Sequence, residues 1–299
     1  MRIAVFTKNL TNPAYGAARL GADRAGAALG AEVLHFVPTT PDDPSQQSAL
    51  IAEALALRPR PDAVVLSPVH PTQVDAAIRS VAAAGIPMVG FVNPIGAAPS
   101  VGYVSSDDEA LARSIADYLF RWMHGRGRVL VIGGPVGAYT SEERLRGFRR
   151  AAQAHPAIEV AGFIAGDYDR KVARERASGW LLANGPVQAC LAANDVMALG
   201  ALDALQEAKQ SAAVVGVNAI PEAIRAIAEH RLLATADFNA MQMAYLATEC
   251  AVRHLRGQPV PEAIELPVQV VDFGNFRQWD LPYAQRPLVT FEQLSGGRA

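Results

Sequence analysis

The 299-residue sequence is poor in cysteine and in net charge. Its two cysteines, Cys190 and Cys250, form no CxxC pair and no Cys/His spacing that suggests zinc. Because Cys190 falls in a predicted strand and Cys250 in a predicted helix, we expect two buried free thiols and no disulfide. The formal net charge of −2 predicts no basic surface that would follow a phosphate backbone, so nucleic acid is not an expected partner.

Long apolar runs and catalytic motifs are also missing. No apolar run reaches the roughly 18 residues of a membrane-spanning helix. The sequence contains no GxSxG, HExxH or GxxxxGK[ST] motif, and its six histidines are scattered. A glycine-rich turn at residues 133–137 contains Pro135, which lacks an amide that a phosphate-binding loop would use. We therefore expect no enzyme, no cofactor and no metal.

What the sequence does have is a regular alternation of strand and helix patterns. A hydrophobic share of 51% and a charged share of 19% predict a folded protein, and the length favours two cores. Short apolar runs predict buried strands at residues 3–6, 32–36, 63–66, 88–92, 128–132, 159–163, 189–192 and 213–217. Alanine-rich segments with helical spacing lie between them, as at residues 17–29, 47–57 and 74–84. This alternation predicts an α/β protein with parallel sheets covered on both faces.

Three extended segments interrupt the rhythm and indicate how the chain is divided. They lie near residues 101–108, 233–236 and 266–272. We interpret them as crossover strands between two sheets. The predicted N-terminal lobe is 1–104 plus 238–268, and the predicted C-terminal lobe is 105–237 plus 269–299.

Candidate binding residues follow the predicted strands. In open α/β sheets, ligands bind beyond the carboxyl ends of the strands, next to helix N-termini. The side chains there are rich in amides, hydroxyls and aromatic rings. They include Lys8, Asn12, Tyr15, Asn93, Glu142, Tyr168, Asn194 and Asn218. Amides donate and accept hydrogen bonds, as sugar hydroxyls require, and an aromatic ring can stack on a sugar.

Each of these side chains also has a structural interpretation. Asn12 and Asn194 fit helix N-caps, and Glu142 fits the acidic first turn of a helix. Lys8 fits a solvated loop. Tyr15 and Tyr168 fit ordinary core or rim positions. A binding site is favoured only because all of these residues fall at the same predicted edge of the sheets.

Motifs spread along nearly the whole chain carry a family resemblance. The most specific is Asn-Asp-Val-Met-Ala-Leu-Gly-Ala at residues 194–201, joined by segments 11–15, 105–108, 143–148, 167–170, 214–218 and 233–236. The sequence resembles the periplasmic sugar-binding proteins of the ribose-binding type, which are related to the effector domains of lactose-repressor-like regulators. The resemblance implies the type I periplasmic-binding-protein fold. This fold has two Rossmann-like lobes with parallel sheets, a three-strand hinge and a ligand buried between the lobes.

The resemblance also implies roles for individual residues. Asn12 and Asn194 match asparagines that bond the sugar, and Tyr15 and Tyr168 match stacking aromatics. Other positions depart from the ribose type. Val92-Asn93 replace an Asp-Arg pair, Glu142 an arginine, Asn218 an aspartate and Phe238 a hinge glutamine, while Lys8 stands near a serine. These changes argue against ribose itself and leave open another monosaccharide, a deoxy or branched sugar, a polyol or a less sugar-like molecule.

The expected function is that of a solute-binding protein of an ABC importer, which captures a monosaccharide or polyol by closing its lobes. Its expected partners are this ligand and the transporter permease, and we expect a monomer. The resemblance implies a periplasmic location. Because no signal peptide precedes the first strand, we expect that one has been removed. The alternative is a signal-less, cytoplasmic ligand sensor that regulates a partner protein. A DNA-binding repressor would need a further N-terminal helix-turn-helix before this fold.

Overall fold

The computed structural model describes residues 1–296, which form two six-stranded sheets. The strands in chain order are β1 (Arg2–Phe6), β2 (Glu32–Phe36), β3 (Ala63–Leu66), β4 (Met88–Phe91), β5 (Gly102–Ser106), β6 (Arg126–Gly133), β7 (Ala157–Ala165), β8 (Ala189–Ala192), β9 (Ala213–Val217), β10 (Ala234–Asp237), β11 (Ala263–Leu266) and β12 (Gln269–Asp272). The first sheet has the order β11-β5-β4-β3-β1-β2 and is parallel throughout. The second has the order β12-β10-β9-β8-β6-β7 and is parallel except for β12, which runs antiparallel to β10.

Helices connect the strands. They are α1 (Pro13–Leu29), α2 (Pro44–Ala56), α3 (Asp75–Ala83), α4 (Asp108–Trp122), α5 (Tyr139–Ala154), α6 (Arg170–Asn184), α7 (Asp195–Glu207), α8 (Pro221–Ala228), α9 (Ala240–Leu255) and α10 (Phe291–Gly296). Every residue of β3, β4 and β8 is buried, as expected for strands covered on both faces. Among residues 1–296, no helix has the length and apolar character needed to span a bilayer.

Local signals explain where several helices begin and end. The side chain of Asn12 accepts a hydrogen bond from the backbone amide of Ala14, with Pro13 in the first turn of α1. Gly30 ends α1 with a φ of 68°, a left-handed conformation that glycine adopts without strain. The sequence analysis predicts the Asn12 cap, which is confirmed.

The chain divides into two compact units. The first unit contains Met1–Ser106, Asn239–Leu266 and the described residues from Pro282 onward, and the second contains Asp107–Phe238 and Pro267–Leu281. The C-terminal tail is the segment after β12, residues 273–296. We expect all of it in the C-terminal lobe, but its last part, from Pro282 onward, belongs to the first unit. The physical reason is that hydrogen bonds join this part of the chain to helices of the first unit. The side-chain amide of the buried Gln242 on α9 donates to the carbonyl of Val289 and accepts from its N–H. Arg24 on α1 donates to the carbonyl of Arg286.

The third predicted crossover segment, residues 266–272, is not one strand. β11 ends at Leu266 and pairs with β5 in the first sheet, whereas β12 begins at Gln269 and pairs with β10 in the second. Pro267 lies between them and has no amide hydrogen to continue a ladder. The strand is therefore interrupted where the chain passes from one unit to the other.

Candidate functional site

Lys8 lies in the loop after β1, at the carboxyl edge of the first sheet, and is 1% exposed. Its Nζ is 3.4 Å from Oδ1 of Asp42, and the side chain of Asn9 donates to Oδ2 of the same carboxylate at 3.2 Å. A buried charge requires such compensation. Lys8 is therefore not a solvated loop lysine. Asp42 precedes α2, and the sequence pattern did not indicate it as the partner of Lys8.

Asn12 and Tyr15 lie beside this ion pair, at the start of α1. Oδ1 of Asn12 accepts the capping bond from the backbone amide of Ala14 at 3.0 Å. Tyr15 is buried, and the ammonium of Lys8 lies 6.0 Å from its ring centroid, within reach of a cation–π attraction. The structure thus brings three predicted residues together in the first unit.

Asn93 follows β4 at the same sheet edge, on a strained turn. Val92 has a φ of 62°, which is unusual for a β-branched residue, and the amide of Asn93 donates to the carbonyl of Phe91 at 2.7 Å. The side-chain Nδ2 of Asn93 donates to the carbonyl of Pro68, whereas its buried Oδ1 has no hydrogen-bond partner. Strain and an unpaired buried polar atom each cost about 1–3 kcal/mol and concentrate at functional sites.

Arg144 on α5 organises the corresponding edge of the second unit. Its Nε donates to Oδ1 of Asp108 at 2.7 Å, and its Nη1 donates to the carbonyl of Ala193 at 2.7 Å and contacts Oδ1 of Asn218 at 3.4 Å. Its guanidinium carbon also lies 5.3 Å from the ring centroid of Phe238. Arg144 therefore connects two predicted residues, Asn218 and Phe238.

The burial of Arg144 is not among the sequence predictions, although the sequence carries a signal for it. Arg144 shares a helix face with Phe148 and Ala151, both of which are buried in the core. A charged residue in step with core positions predicts a buried, partnered charge. Its acidic partner, Asp108, cannot be found this way, because it lies on a different helix.

Asn194 and Asp195 begin α7 and are both 0% exposed. Oδ1 of Asn194 accepts the capping bond from Met197, so the predicted cap is confirmed, while its buried Nδ2 has no hydrogen-bond partner. Asp195 accepts hydrogen bonds from the Thr235 hydroxyl at 2.6 Å and the Ile220 amide at 3.0 Å. Burial raises the pKa of the Asp195 carboxyl to about 7. In this Asn-Asp pair, one residue caps α7 and the other joins the start of α7 to β10 and to the residue before α8.

Tyr168 and Glu142 both contact the glycine-rich turn at residues 133–137. The hydroxyl of Tyr168 is 3.0 Å from Oγ1 of Thr140, and its ring packs so closely on Gly134 that any Cβ there would collide with it. Oε1 of Glu142 accepts from the amide of Gly137 at 3.2 Å, in the first turn of α5. One carboxylate oxygen of Glu142 therefore stabilises the turn, and the side chain lies at the start of α5.

Features that would support catalysis are weak in the described chain. Within residues 1–296, no group of three or more His, Cys, Asp or Glu side chains is arranged to hold a metal. Burial raises the pKa of both free thiols, Cys190 and Cys250, to about 12, so they are poor nucleophiles. His155 pairs with Asp117, and the buried Oγ of Ser141 has no hydrogen-bond partner.

Each of the two α/β units has a mainly parallel sheet and polar side chains after the carboxyl ends of its strands. Residues 3–259 match the family model described as periplasmic binding protein domain, and the chain belongs to that family. The ribose import binding protein RbsB of Haemophilus influenzae is 27% identical over 272 residues, which cover 90% of each chain.

Solved structures show the same fold. An ABC-transporter solute-binding protein from Actinobacillus succinogenes with bound D-allose has a TM-score of 0.86 at 24% identity, and the match covers 92% of this chain and 99% of that chain. A solute-binding protein from Bacillus halodurans with bound myo-inositol has a TM-score of 0.85 at 23% identity, covering 93% and 96%. With the family match, the predicted resemblance to ribose-type periplasmic binding proteins is confirmed. The chain is a solute-binding component of the transport type, not an enzyme.

Proposed function

We propose that this protein captures one monosaccharide or polyol molecule by hinge closure and presents it to the permease of an ABC importer. A relative named for ribose and two structural neighbours with bound D-allose and myo-inositol support this class of solute. A solute that contacts residues of both units would favour the closed state by its differential affinity. The family also supports a periplasmic location, and we propose that the protein acts there as a monomer without nucleic acid.

The observation that carries the proposal is the pair of unpaired buried amide atoms. Nδ2 of Asn194 is a donor and Oδ1 of Asn93 is an acceptor, and neither has a partner in the described protein. A hydroxyl group donates and accepts, so a polyhydroxylated solute can satisfy both atoms. The proposed contact residues are Lys8, Asn12, Tyr15 and Asn93 from the first unit, with Glu142, Tyr168, Asn194, Asn218 and Phe238 from the second.

The charges favour an uncharged solute over a sugar acid or a sugar phosphate. The two buried cations at the sheet edges already have acidic partners: Lys8 pairs with Asp42, and Arg144 pairs with Asp108. An anionic solute would compete with these carboxylates for the same cations. A neutral solute leaves both ion pairs intact, so their burial remains compensated.

The test is isothermal titration calorimetry with D-ribose, D-allose, myo-inositol and xylitol, after unfolding and refolding the protein to remove co-purified ligand. At least one of these solutes is expected to bind. Binding of none, with a folded protein, would refute the sugar or polyol assignment.

Asn194 offers a sharp variant because its two side-chain atoms have separate tasks. Asn194→Asp keeps an oxygen that caps α7, replaces the Nδ2 donor with a second carboxyl oxygen, and adds a titratable carboxyl group beside Asp195. We expect it to weaken binding of the best solute by about 5- to 150-fold, the effect of leaving a partner hydroxyl without its donor. Asn184→Ala, at an exposed position near the end of α6, is the matched control and should leave the affinity unchanged. An Asn194→Asp protein with wild-type affinity would remove Asn194 from the site.

A further inference from the structure

The crossover at residues 237–242 links β10 to α9 and carries Phe238, a proposed contact residue. Phe238 is buried, and its ring is next to the guanidinium of Arg144. Asn239 has a φ of 52° and caps α9 by accepting from the amide of Gln242 at 3.2 Å. The conformation of this short segment therefore determines where the Phe238 ring lies.

The C-terminal tail holds the start of this crossover within the second unit. After β12, a turn closed by the side chains of Asp272 and Asn275 leads into a single 3₁₀ turn. The tail then places the indole Nε1 of Trp279 2.7 Å from Oδ2 of Asp237, to which it donates. Trp279 is largely buried, and a short hydrogen bond to a carboxylate is among the stronger kinds.

The same tail holds the other end of the crossover within the first unit. Gln242, in the first turn of α9, donates from Nε2 to the carbonyl of Val289 at 2.6 Å and accepts from its amide at 2.7 Å. Further along α9, Oε2 of Glu249 accepts from the amide of Phe291 at 3.0 Å. Gln242 and Glu249 are both buried, so the tail supplies partners for polar groups that would be costly to leave unpaired.

We infer that the C-terminal tail is a positioning element for solute binding, with Trp279 as its main positioning residue. By bonding Asp237 at one end and Gln242 at the other, the tail holds the crossover in the conformation that places Phe238 against Arg144. The tail makes both the Asp237 and the Gln242 contacts because the chain passes from the second unit to the first a further time, at Leu281–Pro282. This inference depends on the proposed function, because its consequence is a tighter hold on the solute.

Two variants test the two ends of the crossover separately. Trp279→Phe keeps an aromatic ring and removes only the indole N–H, and Gln242→Met keeps the length of the side chain and removes both bonds to Val289. Each is expected to weaken binding of the best solute among D-ribose, D-allose, myo-inositol and xylitol by about tenfold, the effect of one strong hydrogen bond. Trp122→Phe, at a 53% exposed position, is the matched control and should bind like wild type.

A spectroscopic measurement separates positioning from general stabilisation. In a Trp122→Phe/Trp180→Phe background, Trp279 is the sole tryptophan and reports on Asp237 directly. We expect the bound solute to change its emission, because the crossover is ordered around Phe238 when the site is filled. Trp122 and Trp180 are more exposed than Trp279, so their removal should not alter the affinity.

The outcomes distinguish this inference from the proposed function. If wild type binds a solute while both variants bind it equally well, the tail serves folding alone and the inference is wrong, although the proposed function stands. Lower thermal stability with an unchanged Kd and a silent Trp279 signal would overturn the inference as well. If wild type binds none of the four solutes, the proposed function fails and the inference fails with it.

Discussion

The buried carboxyl of Asp195 is expected to make the stability of the protein depend on pH. It is fully buried and lies at the start of α7, where it accepts hydrogen bonds from Thr235 and Ile220. Burial raises its pKa from the ordinary value of 3.8 to about 7, and the two hydrogen bonds oppose this rise only in part. Asp195 therefore holds its proton in the folded protein under conditions in which the unfolded chain releases it.

The sign of the effect follows from this difference in proton binding. Between the unfolded pKa and the folded pKa, the folded state binds more protons than the unfolded state, so the free energy of unfolding falls as the pH rises. One pKa unit corresponds to about 1.4 kcal/mol. Between pH 5 and pH 8, the Asp195 carboxyl should reduce the stability by about 2–3 kcal/mol, with most of the loss complete at pH 7.

The variant Asp195→Asn isolates this contribution because asparagine does not titrate. Its amide oxygen can accept from Ile220, and its NH₂ can donate to the Thr235 hydroxyl, so the hydrogen bonds have replacements. Urea unfolding at pH 5, 6, 7 and 8 should show the stability of the variant relative to wild type rising by about 2–3 kcal/mol across this range.

Glu53→Gln, at an exposed position on α2, is the control and should give a difference that does not vary with pH in this range. A difference between Asp195→Asn and wild type that stayed constant from pH 5 to pH 8 would refute the reasoning. It would mean that Asp195 is ionised in the folded protein throughout, with its hydrogen bonds outweighing its burial.

Replacing Arg144 with methionine should lower the free energy of unfolding by about 3–5 kcal/mol, since its buried carboxylate partner loses compensation; urea unfolding measures this, and a loss below about 1 kcal/mol would contradict it. Cys190 and Cys250, with pKa values raised to about 12, should be unreactive towards Ellman's reagent at pH 8 in the native protein and reactive in urea, and rapid labelling of native protein would show that they are accessible. Gly200→Ala on α7 should destabilise the protein by about 1–3 kcal/mol, because the added Cβ meets the backbone of α6. The control is Gly179→Ala, because Gly179 faces open space, and thermal unfolding compares the two variants. Equal unfolding midpoints would contradict the prediction.

The parts of the site that the sequence predicts are those with local causes. Asn194 follows a buried strand and precedes a helix, so its position at the sheet edge and its capping bond both follow from neighbouring residues. The same reasoning places Asn12 at the start of α1 and Asn93 after β4. What it does not reveal is which atoms of these amides remain unpaired, because that depends on residues elsewhere in the chain, such as Pro68 beside Asn93.

Buried charges show the limit of sequence reasoning most clearly. The position of Lys8 in a predicted loop favours a solvated lysine over a binding residue. In the structure Lys8 is buried, because the carboxylate of Asp42 in a different loop compensates the charge of its ammonium group. Arg144 and Asp108 are a second such pair, and in both cases the energy of burial depends on a partner that folding brings close.

By itself, the sequence determined the α/β alternation, the strand ends that carry the polar side chains, and the family to which the chain belongs. These rest on periodicity, caps and motifs, which act over a few residues or recur in a fixed order. The tertiary structure alone decided the interruption of the third crossover segment at Pro267 and the attachment of the tail to Asp237 and Gln242. The physical reason is that buried polar groups need hydrogen-bond partners, and the position of a strand or tail segment depends on which of these groups it pairs with. The groups become neighbours only when the chain has folded.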